Sequence, residues 1–281
     1  MKLHTINTGF FKLDGGAMFG VVPKQLWNKL NPADELNLCT WAMRCLLIED
    51  GDKLILIDNG IGNKQSEKFF SHYHLSGTDT LEGSLKALGF GLEDVTDNIL
   101  SHLHFDHAGG GITWNKDHTA YEPTFPNAHY WTTQKHWNNA LNPNRREGAS
   151  FLKENLLPMQ ESGHLKFLDD APEFHPALTF ESGDGHTEGM LNCMIDYKGT
   201  KVCFVADLFP SMHHLPPHFN MGYDVQPLKI MDEKQHFLER AAANGWVLFF
   251  EHDSVNECCT VEKTERGFKP KEVFSLDSML A

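Results

Sequence analysis

Short apolar runs recur along this chain, each closed by a turn or a polar cluster, and the spacing of apolar positions changes from run to run. In MRCLLIEDGDKLILIDNG (43–60) two apolar stretches flank Asp50–Gly51, which predicts a hairpin. LNCMIDYKGTKVCFVAD (191–207) has the same form around Lys198–Gly199. The segment 66–90 ends with Leu81, Leu85 and Leu88 at spacings of four and three, which predicts a helix. DEKQHFLERAAANG (232–245) predicts a longer helix stopped by its glycine. Strands are predicted at Asp97–Ser101, AHYWTT (128–133), GHLKFLD (163–169), LTFESGDGH (178–186) and WVLFFEHD (246–253). Hairpins mixed with helices predict a layered α/β protein with mixed sheets rather than a βαβ repeat. The two hairpins, each ending in an acid, are loosely alike, as an internal duplication would leave them.

Composition narrows the classes. No linker, low-complexity stretch or charge block divides the 281 residues, so 1–281 is expected to be a single domain. A net charge of −14 is opposite to the basic footprint of nucleic-acid binders. No apolar run approaches the roughly 18 residues of a membrane span. The opening MKLHTINTGFFKLDGG has no apolar core of a secretory leader, so a cytoplasmic location is expected. Cys39, Cys45, Cys193, Cys203, Cys258 and Cys259 form no CxxC pair and read as buried free thiols of a reducing compartment. The adjacent Cys258 and Cys259 read as core residues ahead of metal ligands.

The chemistry concentrates in SHLHFDHAGGG (101–111). His102 and His104 are two apart, so on an extended segment both imidazoles point to one side and can reach one ion. Asp106 and His107 follow as the chain turns, within reach of a second ion, and Gly109–Gly111 are read as letting the backbone turn tightly behind them. Three more candidates each end a predicted strand: His186 in GHTEG, Asp207 after KVCFVA and His252 in FFEHD. One ion is then assigned to His102, His104 and His186, and the other to Asp106, His107 and His252, with Asp207 bridging. Imidazole with carboxylate is the donor mix that zinc favours, with iron, manganese and cobalt as alternatives. Most remaining histidines, among them His72, His74, His118, His129 and His136, read as solvated.

In order and spacing, HLHFDH, GHTEG, the apolar strand ending in Asp207 and the late FEHD resemble the metallo-β-lactamase superfamily, over nearly the whole chain. The resemblance implies a four-layer αβ/βα sandwich with two mixed sheets and a dinuclear site whose metals are bridged by hydroxide. Asp58 in LILIDNG matches the superfamily aspartate that orients the ligands without binding metal. Two divalent ions, zinc first, would make this a hydrolase, with Asp106 passing a proton to the leaving group.

Within the superfamily, the resemblance points to the branch of N-acyl-homoserine lactonases and methyl parathion hydrolase-like enzymes. Asp207 stands where dizinc β-lactamases have Cys, His104 stands where flavodiiron proteins have Glu, and the chain after His252 is too short for the C-terminal domain of glyoxalase II. GGAMFGVVPKQLW (15–27) and LFPSMHHLPPHFNMGYDV (208–225) would wall an apolar pocket, with Met18, Phe19, Trp27, His213, His214 and Tyr223 as candidate substrate contacts. One departure bears on substrate: the lactonases carry a tyrosine three residues after the bridging Asp, and here that residue is Pro210. The expected substrate is a small lactone or apolar ester. Phosphotriester hydrolysis is the alternative, and a metal-binding sensor or structural protein without turnover is the reading from another class. A homodimer is implied by the resemblance alone.

Overall fold

The computed structural model describes residues 1–171 and 173–280. The chain condenses into two compact units, each discontinuous in sequence: Met1–Gly9 with Met43–Phe174, and Phe10–Ala42 with the chain from His175. The strands in chain order are β1 (Lys2–Asp14), β2 (Leu38–Asp50), β3 (Lys53–Ile57), β4 (Asp97–Ile99), β5 (Ile112–Trp114), β6 (Tyr121–Pro123), β7 (His129–Thr132), β8 (Leu165–Phe167), β9 (Leu178–Gly183), β10 (Met190–Tyr197), β11 (Thr200–Phe204), β12 (Val247–Phe249), β13 (Cys258–Thr264) and β14 (Gly267–Phe274). One six-stranded sheet runs β1-β2-β3-β4-β7-β8 and the other β14-β13-β12-β11-β10-β9, while β5 and β6 form a ribbon of their own.

Both six-stranded sheets are mixed. In the first, β2 and β3 are antiparallel and β3, β4, β7 and β8 run parallel. In the second, β11 and β12 are parallel and the other neighbours antiparallel. Each predicted hairpin therefore sits beside a parallel third strand, β4 in one sheet and β12 in the other.

The turn chemistry accounts for both hairpins. Lys198 (φ 46°) and Gly199 (φ 85°) both take left-handed backbone between Tyr197 and its partner Thr200, as a two-residue primed turn requires. The other turn lies one position later than the sequence pattern placed it. Asp50 pairs with Lys53, so Gly51 (φ 62°) and Asp52 are the central residues.

The long helix is Pro227–Asn244, beginning before the predicted 232, because Pro227 occupies the first turn, where its missing N–H costs nothing. It ends at Gly245 in left-handed conformation (φ 63°). The buried strand predicted over 246–253 is only the three residues of β12. The β13–β14 hairpin and the long β1 carry weak alternation and went unpredicted. All six cysteines are buried, and none is in a disulfide among the described residues.

Candidate metal centre

The HLHFDH segment leaves β4 and is anchored by the residues between its polar ones. Leu103 and Ala108 are wholly buried in the core of their unit with Leu47, Leu56, Leu100 and Tyr130, and Phe105 is also buried. Apolar packing at alternate positions thus holds His102 and His104 on the opposite side of the strand extension.

Asp58, directly after β3, fastens the segment. Its Oδ1 accepts from the Ser101 N–H (2.6 Å), and its Oδ2 from the Ser101 hydroxyl (2.5 Å) and the His107 Nδ1–H (3.0 Å). With the serine proton committed to Asp58, His102 Nδ1–H donates to Ser101 Oγ at 3.1 Å. Asp58 sits in left-handed backbone (φ 57°), which a short polar side chain tolerates.

The glycines form a 3-10 turn behind the motif, as expected, though not through left-handed backbone. Gly109, Gly110 and Gly111 are absent from the positive-φ residues. Gly109 and Gly110 are needed because the backbone of residues 59–61 passes against them, and Gly111 because side chains do. A Cβ on Gly109 would lie 2.2 Å from the Ile61 carbonyl oxygen, and one on Gly110 would lie 2.1 Å from that of Asn59. Asn59 N–H to His107 O (2.9 Å) and Gly110 N–H to Gly60 O (2.9 Å) sew the two segments together.

His102 Nε2 and His104 Nδ1 face each other at 3.1 Å. Two nitrogens on a tetrahedral zinc are about 3.3 Å apart, so the pair already has the bite of a chelate. On its far side, His104 Nε2 meets the Glu147 carboxylate at 3.6 Å, with both residues buried. His107 Nε2 lies 3.9 Å from Asp106 Oδ2. His136, read as solvated, is fully buried and accepts the Leu103 N–H through Nε2 at 2.8 Å, so it fixes the backbone between two ligands.

In the other unit the candidate ligands follow a regular rule. Strands β9, β11 and β12 run in one direction, and His186, Asp207 and His252 each lie three residues past the strand's last residue: 183 + 3, 204 + 3 and 249 + 3. His102 stands in the same relation to β4, 99 + 3. Because Phe204 pairs with Phe249, Asp207 and His252 emerge side by side. Asp207 then divides its carboxylate: Oδ2 is 3.2 Å from His186 Nε2 and Oδ1 is 3.3 Å from His252 Nε2. Ala206, immediately before it, is held at φ 41°, a strained conformation for alanine that aims the aspartate. His252 Nδ1–H donates to the Ala42 carbonyl at 2.8 Å, and His186 Nδ1–H to Asp224 Oδ1 at 2.9 Å.

The donor set fits metal. Four buried imidazoles each have one nitrogen hydrogen-bonded to a protein group (Ser101, Asp58, Asp224 or the Ala42 carbonyl), which leaves the other oriented as a candidate ligand, and His104 Nε2 faces the Glu147 carboxylate. Histidine and aspartate ligand atoms gather in clusters able to hold a metal ion, and none of these clusters includes a cysteine. Sequence reading missed Ser101, Glu147, His136 and Asp224. Only Ser101, adjacent to the motif, had a local signal; the others reach the ligands across 33 or more positions.

The candidate substrate contacts fall into two groups. Phe19 is stacked between Trp27 (5.3 Å) and His214 (4.6 Å), and Met18 is buried beside them. His214 is fully engaged: Nε2–H donates to the Met18 carbonyl (2.9 Å) and Nδ1 accepts from the Ser211 hydroxyl (2.8 Å). Burial pushes its imidazolium down to about 3, so it is neutral. By contrast Tyr223 is 40% exposed, and His213 is half-buried with its pKa lowered by desolvation. The two loops are tied together, since Gly222 N–H donates to Ala17 O at 2.7 Å.

A model of the metallo-beta-lactamase superfamily matches residues 44–252, a span containing every ligand named above. The chain belongs to the metallo-beta-lactamase superfamily. Among curated relatives of this superfamily hydrolase, an N-acyl homoserine lactonase from a Bacillus species is 27% identical over 205 residues, 69% of this chain and 70% of the relative. The N-acyl homoserine lactonase AiiA of Bacillus thuringiensis subsp. kurstaki is 28% identical over 207 residues, with the same coverage. A solved structure described as a "probable metal-dependent hydrolase" from Staphylococcus aureus has a TM-score of 0.83 at 27% identity and covers 98% of each chain. AidC, a dizinc quorum-quenching lactonase solved with its product N-hexanoyl-L-homoserine, has a TM-score of 0.79 at 24% identity over 97% of this chain and 95% of its own, a likeness of fold. The two mixed sheets are those of the metallo-β-lactamase sandwich. No helix among the described residues is long and apolar enough to cross a membrane.

Proposed function

We propose that this chain is a dinuclear metal-dependent hydrolase that opens a lactone, with an N-acyl-homoserine lactone or similarly apolar ester as substrate. The observation that carries the reading is the split carboxylate of Asp207, one oxygen toward His186 and the other toward His252. A carboxylate so placed is suited to bridge two ions. His102, His104 and His186 would hold one, and Asp106, His107 and His252 the other. When bound, two divalent ions, zinc by donor preference, supply Lewis acidity toward a carbonyl oxygen and a water whose proton leaves near neutral pH.

The chain's own residues do the rest. Asp58, Ser101 and Ala42 O hold the imidazoles so that one nitrogen of each stays unprotonated. The Asp106 carboxylate accepts a proton and returns it to the departing alkoxide oxygen. The relatives named as N-acyl homoserine lactonases support the substrate class. Pro210, at the place of the lactonase tyrosine, favours phosphotriesters as the second reading, and with His214 engaged, His213 and Tyr223 are the residues left to offer a carbonyl donor.

The test is a substrate panel on protein loaded separately with zinc, manganese, iron(II) and cobalt: acyl-homoserine lactones of graded chain length, aryl esters and phosphotriesters. Lactone opening is expected to have the highest kcat/KM. Two bound metal equivalents with no turnover of any of the three classes would sink the enzyme reading, and a phosphotriester preference would replace the substrate.

A further inference from the structure

We infer that Asp224 is the positioning residue for His186, and that it ties this ligand to the loop 208–225. The inference rests on the reading of His186 as a metal ligand. Asp224 is wholly buried in a tight turn, and both its oxygens are in use. Oδ1 accepts from His186 Nδ1–H at 2.9 Å, and Oδ2 accepts from the Met221 N–H at 2.8 Å. The backbone adds to this: Val225 N–H donates to His186 O at 3.1 Å and Gln226 N–H to Gly185 O at 2.9 Å. His186 is therefore gripped by its side chain and by the carbonyl on each side of its amide nitrogen, from one loop.

The chemistry follows from which donors can change. A backbone N–H is fixed, whereas an imidazole proton can sit on either nitrogen. Asp224 satisfies both donors only with two acceptor oxygens, and so it holds the His186 proton on Nδ1 and leaves Nε2 bare toward Asp207. Asn in its place has one acceptor. That oxygen is expected to stay with the immovable Met221 N–H and the amide NH2 to face the ring. The ring proton then moves to Nε2, the nitrogen that must coordinate. Asp224 is thus a device for tautomer choice, and the loop that would wall the substrate is fastened through it.

The experiment compares wild type, Asp224→Asn and Asp224→Ala as full-length chains, with zinc as the probe. Zinc affinity is measured by competition against a chromophoric chelator, and the ring N–H protons of the zinc-loaded proteins are observed by NMR, the His186 signal being assigned with a His186→Gln variant. Wild type should bind two zinc ions and show a downfield His186 Nδ1–H. Both variants should weaken one of the two ions by about ten- to hundredfold, with that N–H resonance lost or moved upfield. If Asp224→Ala does not fold, the isosteric Asp224→Asn decides. Variants that bind two ions as tightly as wild type, with the His186 resonance unmoved, would overturn the role of Asp224 while leaving the metal site standing. Wild type that binds no zinc would overturn the site reading and this inference together.

Discussion

At the scale of single residues, the candidate ligands are held by hydrogen-bonded neighbours, and the costs of altering each kind differ. Asp207→Ala removes a side chain that faces both His186 and His252. Elemental analysis is expected to find fewer than two metal equivalents, with hydrolysis down by at least about a hundredfold; unchanged metal and rate would end the dinuclear model. Gly110→Ala fails for a backbone reason. Its methyl would meet the Asn59 carbonyl at 2.1 Å, and the two segments must part to admit it. Urea unfolding should show a loss of about 1–3 kcal/mol, the cost of overpacking. His214 makes a pH prediction. Its folded pKa, lowered to about 3, lies below the ordinary histidine value of 6.5, so the unfolded chain binds the proton more readily. Its stabilising contribution is complete above about 6.5 and is lost as pH falls through the window toward 3. Phe in its place should flatten that slope in thermal melts between pH 6.5 and 4.5.

Among the elements, the helix Pro227–Asn244 does more than cover a sheet. Its Lys234 is buried, lies 5.5 Å over the Phe209 ring, and donates to the carbonyls of Phe219 (2.9 Å) and His214 (3.3 Å). Desolvation brings its pKa down to about 8, so the ammonium is costly to bury. Lys234→Met removes that cost along with the two bonds, and these opposing effects should leave the melting temperature nearly unchanged. The two carbonyls lose their donor, however, so amide exchange across 211–222 should speed up well beyond that of the sheet. Equal exchange in variant and wild type would show that the lysine does not secure the loop. The strands present the complementary lesson. Co-directional strands in register place His186, Asp207 and His252 at a constant three-residue offset, so the regularity of the sheet sets the spacing of these side chains.

For the whole molecule, a net charge of −14 and buried histidine and aspartate clusters able to hold metal make stability a test of metal binding. Binding to the folded chain alone stabilises it by about 4 kcal/mol at a thousandfold excess over Kd. Exhaustive chelation is therefore expected to lower the melting temperature by about 5 °C or more, and zinc should restore it, as calorimetry would register. A melting temperature indifferent to chelation would mean that the histidine clusters do not hold metal in the native chain.

By itself the sequence determined the elements whose signal is local: the Lys198–Gly199 hairpin, the helix stop at Gly245, the α/β class, and the HLHFDH motif with His186, Asp207 and His252 at strand ends. These rest on turn geometry and side-chain alternation, which act over a few residues. Tertiary structure alone decided which groups orient those ligands. Glu147 reaches His104 from 43 positions away, Asp224 reaches His186 from 38, and the Ala42 carbonyl reaches His252 from 210. It also decided that the glycines serve close backbone approach, that His136 is a buried brace, and that His214 has no nitrogen to spare. A contact between residues so far apart leaves no periodicity in the chain; it exists only once folding has brought those residues together.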